Sequence, residues 1–91
     1  MTITLAPKQD GIYGLKVDSV VSPLTEETLQ YILNDKFYDN KGIYFSKDKY
    51  IVMLQNGTKF SINDKNDFLG KLNIAYNNVN KTNDIASFEV N

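Results

Sequence analysis

The side chains of this chain that could do chemistry are carboxylates, lysines and aromatic rings, because histidine and cysteine are both absent. Without histidine the chain lacks the commonest general base and metal ligand, and the Ser or Cys nucleophile of a catalytic triad would have no activating partner. Without cysteine, disulfides and thiolate metal sites are excluded. We therefore predict a protein that is not an enzyme and that holds no metal or cofactor.

Two groups of acidic residues come closest to a catalytic or metal-binding pattern. Asp35 and Asp39 would share one face of the first predicted helix if it extended that far, although a solvated helix end explains them better. Residues 63–67 are rich in oxygen ligands, but the glycine and glutamate that a Ca²⁺ loop requires are missing. Helix capping accounts for Asp64 and Asp67. A carboxylate-based hydrolase or metal protein is an alternative that changing both residues to Asn would test.

Lysines surround aromatic residues in the middle of the chain, a combination that can stack and hold single-stranded nucleic acid. All ten basic residues are lysine, so the chain has no bidentate guanidinium for phosphate or guanine. The net charge of −1 gives no field that would concentrate a polyanion. A protein partner is therefore the first prediction, and a single-stranded nucleic acid is the alternative. The residues concerned are Lys41, Lys47, Lys49 and Lys59, with Tyr44, Phe45 and Tyr50.

The elements that must position these side chains are those of an α+β fold. Length and apolar content predict one compact domain that spans residues 1–91. The apolar periodicity predicts a mostly antiparallel sheet with two helices, in the order β-β-α-β-β-β-α-β. The predicted strands are 2–5, 12–21, 43–45, 50–55, 58–62 and 85–90.

Capping residues predict where both helices begin. Thr25 is the predicted N-cap of the first helix, with Leu24 and Leu29 placed as a hydrophobic staple, and residues 39–42 are predicted to stop the helix. Asp64 is the predicted N-cap of the second helix, whose C-terminal end is expected to fray among asparagines. The apolar stripes are Leu29, Ile32, Leu33 and Phe37 in the first helix, and Phe68, Leu69, Leu72, Ala75, Tyr76 and Val79 in the second.

The dipeptide Asn56-Gly57 lies between two β-prone runs and is the strongest short-range hairpin signal in the chain. A two-residue type I′ turn there would pair Met53 with Phe60 and Ile51 with Ile62. Both faces of the central sheet are then apolar. One face would carry Tyr44, Ile51, Met53, Phe60 and Ile62, and the other Ile43, Phe45, Tyr50, Val52 and Leu54, with Lys59 and Ser61.

Two apolar faces are more than two helices can cover if both helices pack on one side. We therefore predict that the second face is exposed and binds a protein partner. The alternative is that the chain's own elements cover both faces. The predicted partner-binding residues are Ile43, Phe45, Tyr50, Val52 and Leu54, rimmed by Lys47, Lys49 and Lys59.

These observations predict a small non-enzymatic protein-binding module that acts stoichiometrically. The abundance of Asn, Lys and Tyr indicates AT-rich coding, which suits a low-GC bacterium or its phages and plasmids. An accessory or inhibitor protein of the anti-defence type is one version, and a structural virion subunit is another alternative. Pairing of an edge strand with a second copy would give a homodimer. No signal peptide or membrane span is recognised, so we expect a cytoplasmic protein.

Overall fold

Seven strands and two helices make up the part of the chain that the structure, a computed structural model, describes: residues 1–36, 43–46 and 49–90. The α+β class and the mostly antiparallel sheets are confirmed, with one more strand before the first helix than predicted. The elements are β1 (Thr2–Gln9), β2 (Ile12–Val17), β3 (Val20–Thr25), α1 (Glu26–Leu33), β4 (Ile43–Ser46), β5 (Lys49–Met53), β6 (Lys59–Ile62), α2 (Lys65–Thr82) and β7 (Ala86–Glu89).

The first sheet has four antiparallel strands in the order β3-β2-β1-β7. The predicted strand 12–21 is divided into β2 and β3, because Asp18 turns the chain with a φ of 53°. The Asp18 carboxylate accepts a hydrogen bond of 3.1 Å from the Thr2 backbone N–H. The Asp18 backbone N–H donates a hydrogen bond of 2.9 Å to the Thr2 carbonyl. These bonds attach the β2–β3 turn to the start of β1 and stabilise it.

Strand β1 continues past Pro7, although the sequence predicted that it would end there. Its pairing with β2 shifts between Ala6 and Gln9. Proline has no N–H for the ladder, and such a shift is one way for a sheet to accommodate it. The irregularity lies in β1, because Gly14 of β2 pairs regularly with Ala6 and with Pro23.

The second sheet has three antiparallel strands in the order β4-β5-β6, and its register differs by one residue from the predicted one. Val52 pairs with Phe60 and Tyr50 pairs with Ile62. The hairpin is closed by a bond from the Leu54 N–H to the Thr58 carbonyl at 2.9 Å, so its loop has three residues instead of two. Gly57, with a φ of 85°, takes the left-handed position that three-residue loops need at this point.

Both helices begin where capping chemistry predicts. The Thr25 hydroxyl accepts from the Thr28 N–H at 3.3 Å, and the Asp64 carboxylate accepts from the Asp67 N–H at 3.1 Å. The predicted fraying of α2 is wrong: the helix runs to Thr82, and Asn83 caps it in the left-handed conformation. Asparagine adopts this conformation more readily than most residues, which suits it to the position.

Helix α1 ends at Leu33, earlier than the apolar stripe predicted. Asp35 has a φ of 56°, its N–H bonds to the Ile32 carbonyl at 3.1 Å, and the Lys36 N–H bonds to the Tyr31 carbonyl at 3.0 Å. These two bonds form a Schellman motif, with Asp35 where glycine is usual. The predicted stripe residue Phe37, together with Asp39 and the stop at 39–42, lies outside the described residues.

Both sheets and both helices contribute to one hydrophobic core. α2 packs against β1 and β7, and α1 packs against β3 and α2. An edge-to-face contact between Phe60 and Phe68, with ring centroids 6.2 Å apart, connects the second sheet to α2. Neither described helix has the length and apolar character needed to cross a membrane.

Candidate functional site

The predicted docking face belongs to the hydrophobic core, so the expectation that it is exposed is wrong. Ile43 and Val52 are 0% exposed, and Tyr50 and Leu54 are 2% exposed. In a strand, a shift of one residue moves every side chain to the opposite face. The observed register therefore places Phe60 and Ile62 beside Val52 and Tyr50, which gives the second sheet one apolar face that packs into the core.

The remaining predicted docking residues do not form a surface with these four. Lys59 is exposed, but it pairs with Met53 on the opposite face of the sheet. Lys47 lies outside the described residues, as do the side chains of Phe45 and Lys49.

The outward face of the second sheet is mixed in character. Tyr44, Ile51 and Met53 are half-buried, while Lys59 and Ser61 are exposed. This face therefore lacks the apolar continuity that the predicted register would have given it. The Tyr50 ring, which the nucleic-acid alternative used as a stacking platform, is buried, so it offers no face to a base.

The acidic residues singled out in the sequence have structural partners. The Asp35 carboxylate accepts from the Tyr50 hydroxyl at 2.9 Å and pairs with the Lys65 ammonium at 3.1 Å. Asp64 caps α2, and Asp67 pairs with Lys71 at 3.2 Å. Among the described residues no group of three or more acidic side chains is arranged to hold a metal ion.

A polar cluster links the first sheet to both helices. The Lys8 ammonium is 2.8 Å from a Glu26 carboxylate oxygen. The Tyr76 hydroxyl donates to the other Glu26 oxygen at 3.5 Å and accepts from the Gln30 amide at 3.2 Å. The Tyr13 ring stacks edge-on against Tyr76, with centroids 5.8 Å apart. The cluster therefore connects β1, β2, α1 and α2.

Three groups of this cluster, on Lys8, Tyr13 and Glu26, have pKa values that are shifted away from neutral pH. Hydrogen bonding and the charge of Lys8 lower the pKa of the Glu26 carboxyl, and the same interactions raise the pKa of the Lys8 ammonium. Burial raises the pKa of the Tyr13 hydroxyl. A general acid or base works best with a pKa near the operating pH. These shifts suit a structural cluster and do not prepare any of the three groups for proton transfer.

The outward face of the first sheet carries an open groove with a cavity volume of about 930 Å³. The large hydrophobic residues exposed in it are Ile85, Val21 and Ile12, whose exposed fractions are 66%, 65% and 40%. We call this feature the outer groove. Its aliphatic and small lining residues are Ala6, Pro7, Ile12, Gly14, Val21, Pro23 and Ile85.

The concave shape of the outer groove follows from the sizes of its residues. Ala6 and Gly14 pair with each other at the centre of the sheet, where a Cβ on Gly14 would lie only 3.2 Å from that of Ala6. Larger side chains stand on the outer strands, Val21 and Pro23 on β3 and Ile85 just before β7. The small pair is therefore the floor, and the larger residues are the walls.

Charged groups lie at one end of the outer groove, near the β1–β2 turn and the start of β7. Lys8, Asp10 and Asp84 line it there. Lys8 is neutralised by Glu26. Asp10 and Asp84 are exposed and have no ion-pair partner among the described residues. This end of the groove is therefore negatively charged.

The sequence prediction missed the outer groove because it read residues 12–21 as a single strand. In a single strand over these residues, Val21 would share one face with Tyr13, Leu15 and Val17. The signal that could have corrected this is Asp18-Ser19, a two-residue turn of the polar type common between hairpin strands. With that turn, the second strand of the hairpin carries Val21 and Pro23 outward beside Lys16 and Gly14.

Comparison with known proteins adds no functional information to this geometry. No protein-family model, no curated protein and no solved structure matches the chain.

Proposed function

We propose that this chain is a non-enzymatic protein-binding module that acts stoichiometrically, and that the outer groove is its docking surface. The observation that supports the proposal is the exposure of Val21 and Ile85 on opposite sides of a floor made by Ala6 and Gly14. Single exposed aliphatic residues are ordinary on protein surfaces. Several of them around one concavity are typical of an interaction site.

The shape of the groove favours a protein partner over a small molecule. Sites for small molecules enclose most of the ligand surface and converge on it with a few polar groups. The outer groove is open to solvent, and seven of its fourteen lining residues are aliphatic or small apolar residues. A partner that lays side chains across the sheet would gain apolar contact there without being enclosed.

Composition supports a narrower form of the proposal, an accessory or inhibitor protein encoded by a phage or plasmid. The chain has eleven asparagines, ten lysines and six tyrosines, a usage that AT-rich coding favours. A stoichiometric inhibitor needs a surface and no catalytic group, which agrees with the structural roles of the carboxylates described above.

The proposal is tested by affinity capture from cells that encode the protein, with three baits compared by quantitative mass spectrometry. The baits are the wild-type chain, the double variant V21T/I85T and the control I74T. Ile74 is 62% exposed on α2, outside the outer groove, and so matches the groove residues in exposure and chemistry. Threonine keeps the β-branched shape while removing apolar contact.

We expect a prey that the wild-type and I74T baits retain and that the groove variant loses. Capture that is equal for all three baits would contradict docking through the groove. Light scattering of the pure wild-type chain belongs beside this experiment, because assembly into large particles would favour a structural subunit instead.

A further inference from the structure

We propose that the partner of the outer groove is a short protein segment in which aliphatic side chains are followed by a lysine or arginine. This inference rests on the proposed function, since it names the chemistry of what docks there. The charge at one end of the groove and the size of its apolar area support it.

The charge is supplied by Asp10 and Asp84. Asp10 lies in the β1–β2 turn, and Asp84 lies two residues before β7, whose first residue, Ala86, pairs with Leu5 of β1. Both aspartates line the groove. Lys8 is the only cationic residue among those that line the groove, and its ammonium is 2.8 Å from the Glu26 carboxylate. The two aspartates have no such partner among the described residues. A ligand with a cationic group at this end would therefore meet two uncompensated carboxylates.

The size of the apolar area excludes a face-to-face dimer held by this groove alone. The apolar lining residues span four strand positions about 4.8 Å apart and three successive outward levels along the strands, which gives an apolar area of roughly 15 by 14 Å. A stable protein interface takes about 800 Å² from each partner. The groove provides a small part of that area, which suits a few consecutive side chains of a segment.

The floor of the groove determines which side chains fit. Gly14 and Ala6 leave a depression between Val21 and Ile85, so an aliphatic side chain can lie between these walls. The next residues of the segment would then reach the end where Asp10 and Asp84 lie. Charge pairs at such an exposed end contribute more to specificity and association rate than to affinity.

The test uses a phage-displayed library of random twelve-residue peptides, selected on the wild-type protein and depleted on V21T/I85T. Enriched sequences are synthesised, and their dissociation constants are measured by titration calorimetry at low and high salt. The variant D10N/D84N removes both carboxylate charges, and asparagine tolerates the left-handed φ of 53° at position 10. Intact mass is checked to show that both amides are retained.

We expect peptides with an aliphatic residue next to a lysine or arginine. Their binding should weaken at least tenfold in V21T/I85T and about two- to tenfold in D10N/D84N, and the double asparagine variant should also lose most of the salt dependence. I74T should bind like the wild type.

Two results would overturn the inference. Peptides that bind the groove without a cationic residue, and equally well to D10N/D84N, would show that the charge plays no part while the groove still docks protein. If no peptide is enriched on the wild-type protein after depletion on V21T/I85T, the groove does not bind short segments. A prey lost by the groove variant in the capture experiment would then still support the proposed function.

Discussion

The Tyr50 hydroxyl donates a hydrogen bond of 2.9 Å to Oδ1 of Asp35, and this bond joins the second sheet to the C-terminal end of α1. Asp35 occupies a left-handed position that usually favours glycine or asparagine. The Lys65 ammonium, 3.1 Å from the other carboxylate oxygen, adds α2 to the same junction. Three elements thus meet at one residue, and their contacts offset the cost of its backbone conformation.

Replacing Asp35 with alanine should therefore destabilise the protein by about 2–5 kcal/mol. Alanine at positive φ costs roughly 1–2 kcal/mol. Tyr50 is buried, and the loss of the Asp35 acceptor for its hydroxyl costs about 1–3 kcal/mol. Urea unfolding followed by circular dichroism measures the loss. The matched control is D35N, which keeps an oxygen acceptor and tolerates the backbone conformation, and should cost less than about 1 kcal/mol. Equal losses in both variants would show that the ion pair with Lys65 dominates instead.

Two glycine-to-alanine substitutions should change the free energy of unfolding in opposite directions. Gly57 has a φ of 85° in the β5–β6 loop, so G57A should destabilise by about 1–2 kcal/mol. Gly70 lies inside α2, where an added Cβ meets nothing within 4 Å, so G70A should stabilise by about 0.5–1 kcal/mol. Thermal and urea unfolding of the two variants, measured together, test both signs. Stabilisation by G57A would contradict the left-handed backbone conformation of Gly57 in this loop.

The Asn56-Gly57 hairpin shows how far the sequence could predict this molecule. A hairpin at that position was predictable, because Asn-Gly is a strong local turn signal. Its loop length was not, since glycine serves both the two-residue turn and the three-residue loop. This shift of one residue in the strand pairing determines whether Phe60 and Ile62 face the core beside Val52. The predicted docking surface depended on this choice and was therefore wrong.

Features set by local chemistry were predicted more reliably than those set by tertiary contacts. The caps Thr25 and Asp64 depend on side-chain bonds within the first turn of each helix, and both are observed. The end of α1 depends instead on residues distant in sequence, because Tyr50 and Lys65 both bind the Asp35 carboxylate, and Asp35 is where the chain leaves the helix. The outer groove depends in the same way on the pairing of β1, β2, β3 and β7, which no single segment of sequence specifies.

The ion pair between Lys8 and Glu26 should contribute to stability at neutral pH and stop doing so in acid. The pKa of the Glu26 carboxyl is lowered in the folded protein, so its contribution is present above the unfolded pKa and is lost as the pH falls through the folded pKa. The variant E26Q should therefore melt below the wild type at neutral pH. The difference should shrink as the pH falls below about 4.

Thermal melts of both proteins across the acid range test this prediction. Glu27, which is exposed in the same helical turn and for which no ion pair with a described residue is seen, supplies the control E27Q. A difference between E26Q and the wild type that does not change with pH would contradict a charge-based origin.

The same substitution at two valines should distinguish the core from the outer groove. Val52 is 0% exposed in the second sheet, and Val21 is 65% exposed in the first. Threonine has nearly the same shape as valine, so V52T buries a hydroxyl and should cost about 1–3 kcal/mol. V21T leaves its hydroxyl in water and should change the free energy of unfolding by less than about 0.5 kcal/mol. Urea unfolding of the two variants provides the comparison. A small loss for V52T with a large one for V21T would reverse the assignment of the two faces and return the docking surface to the second sheet.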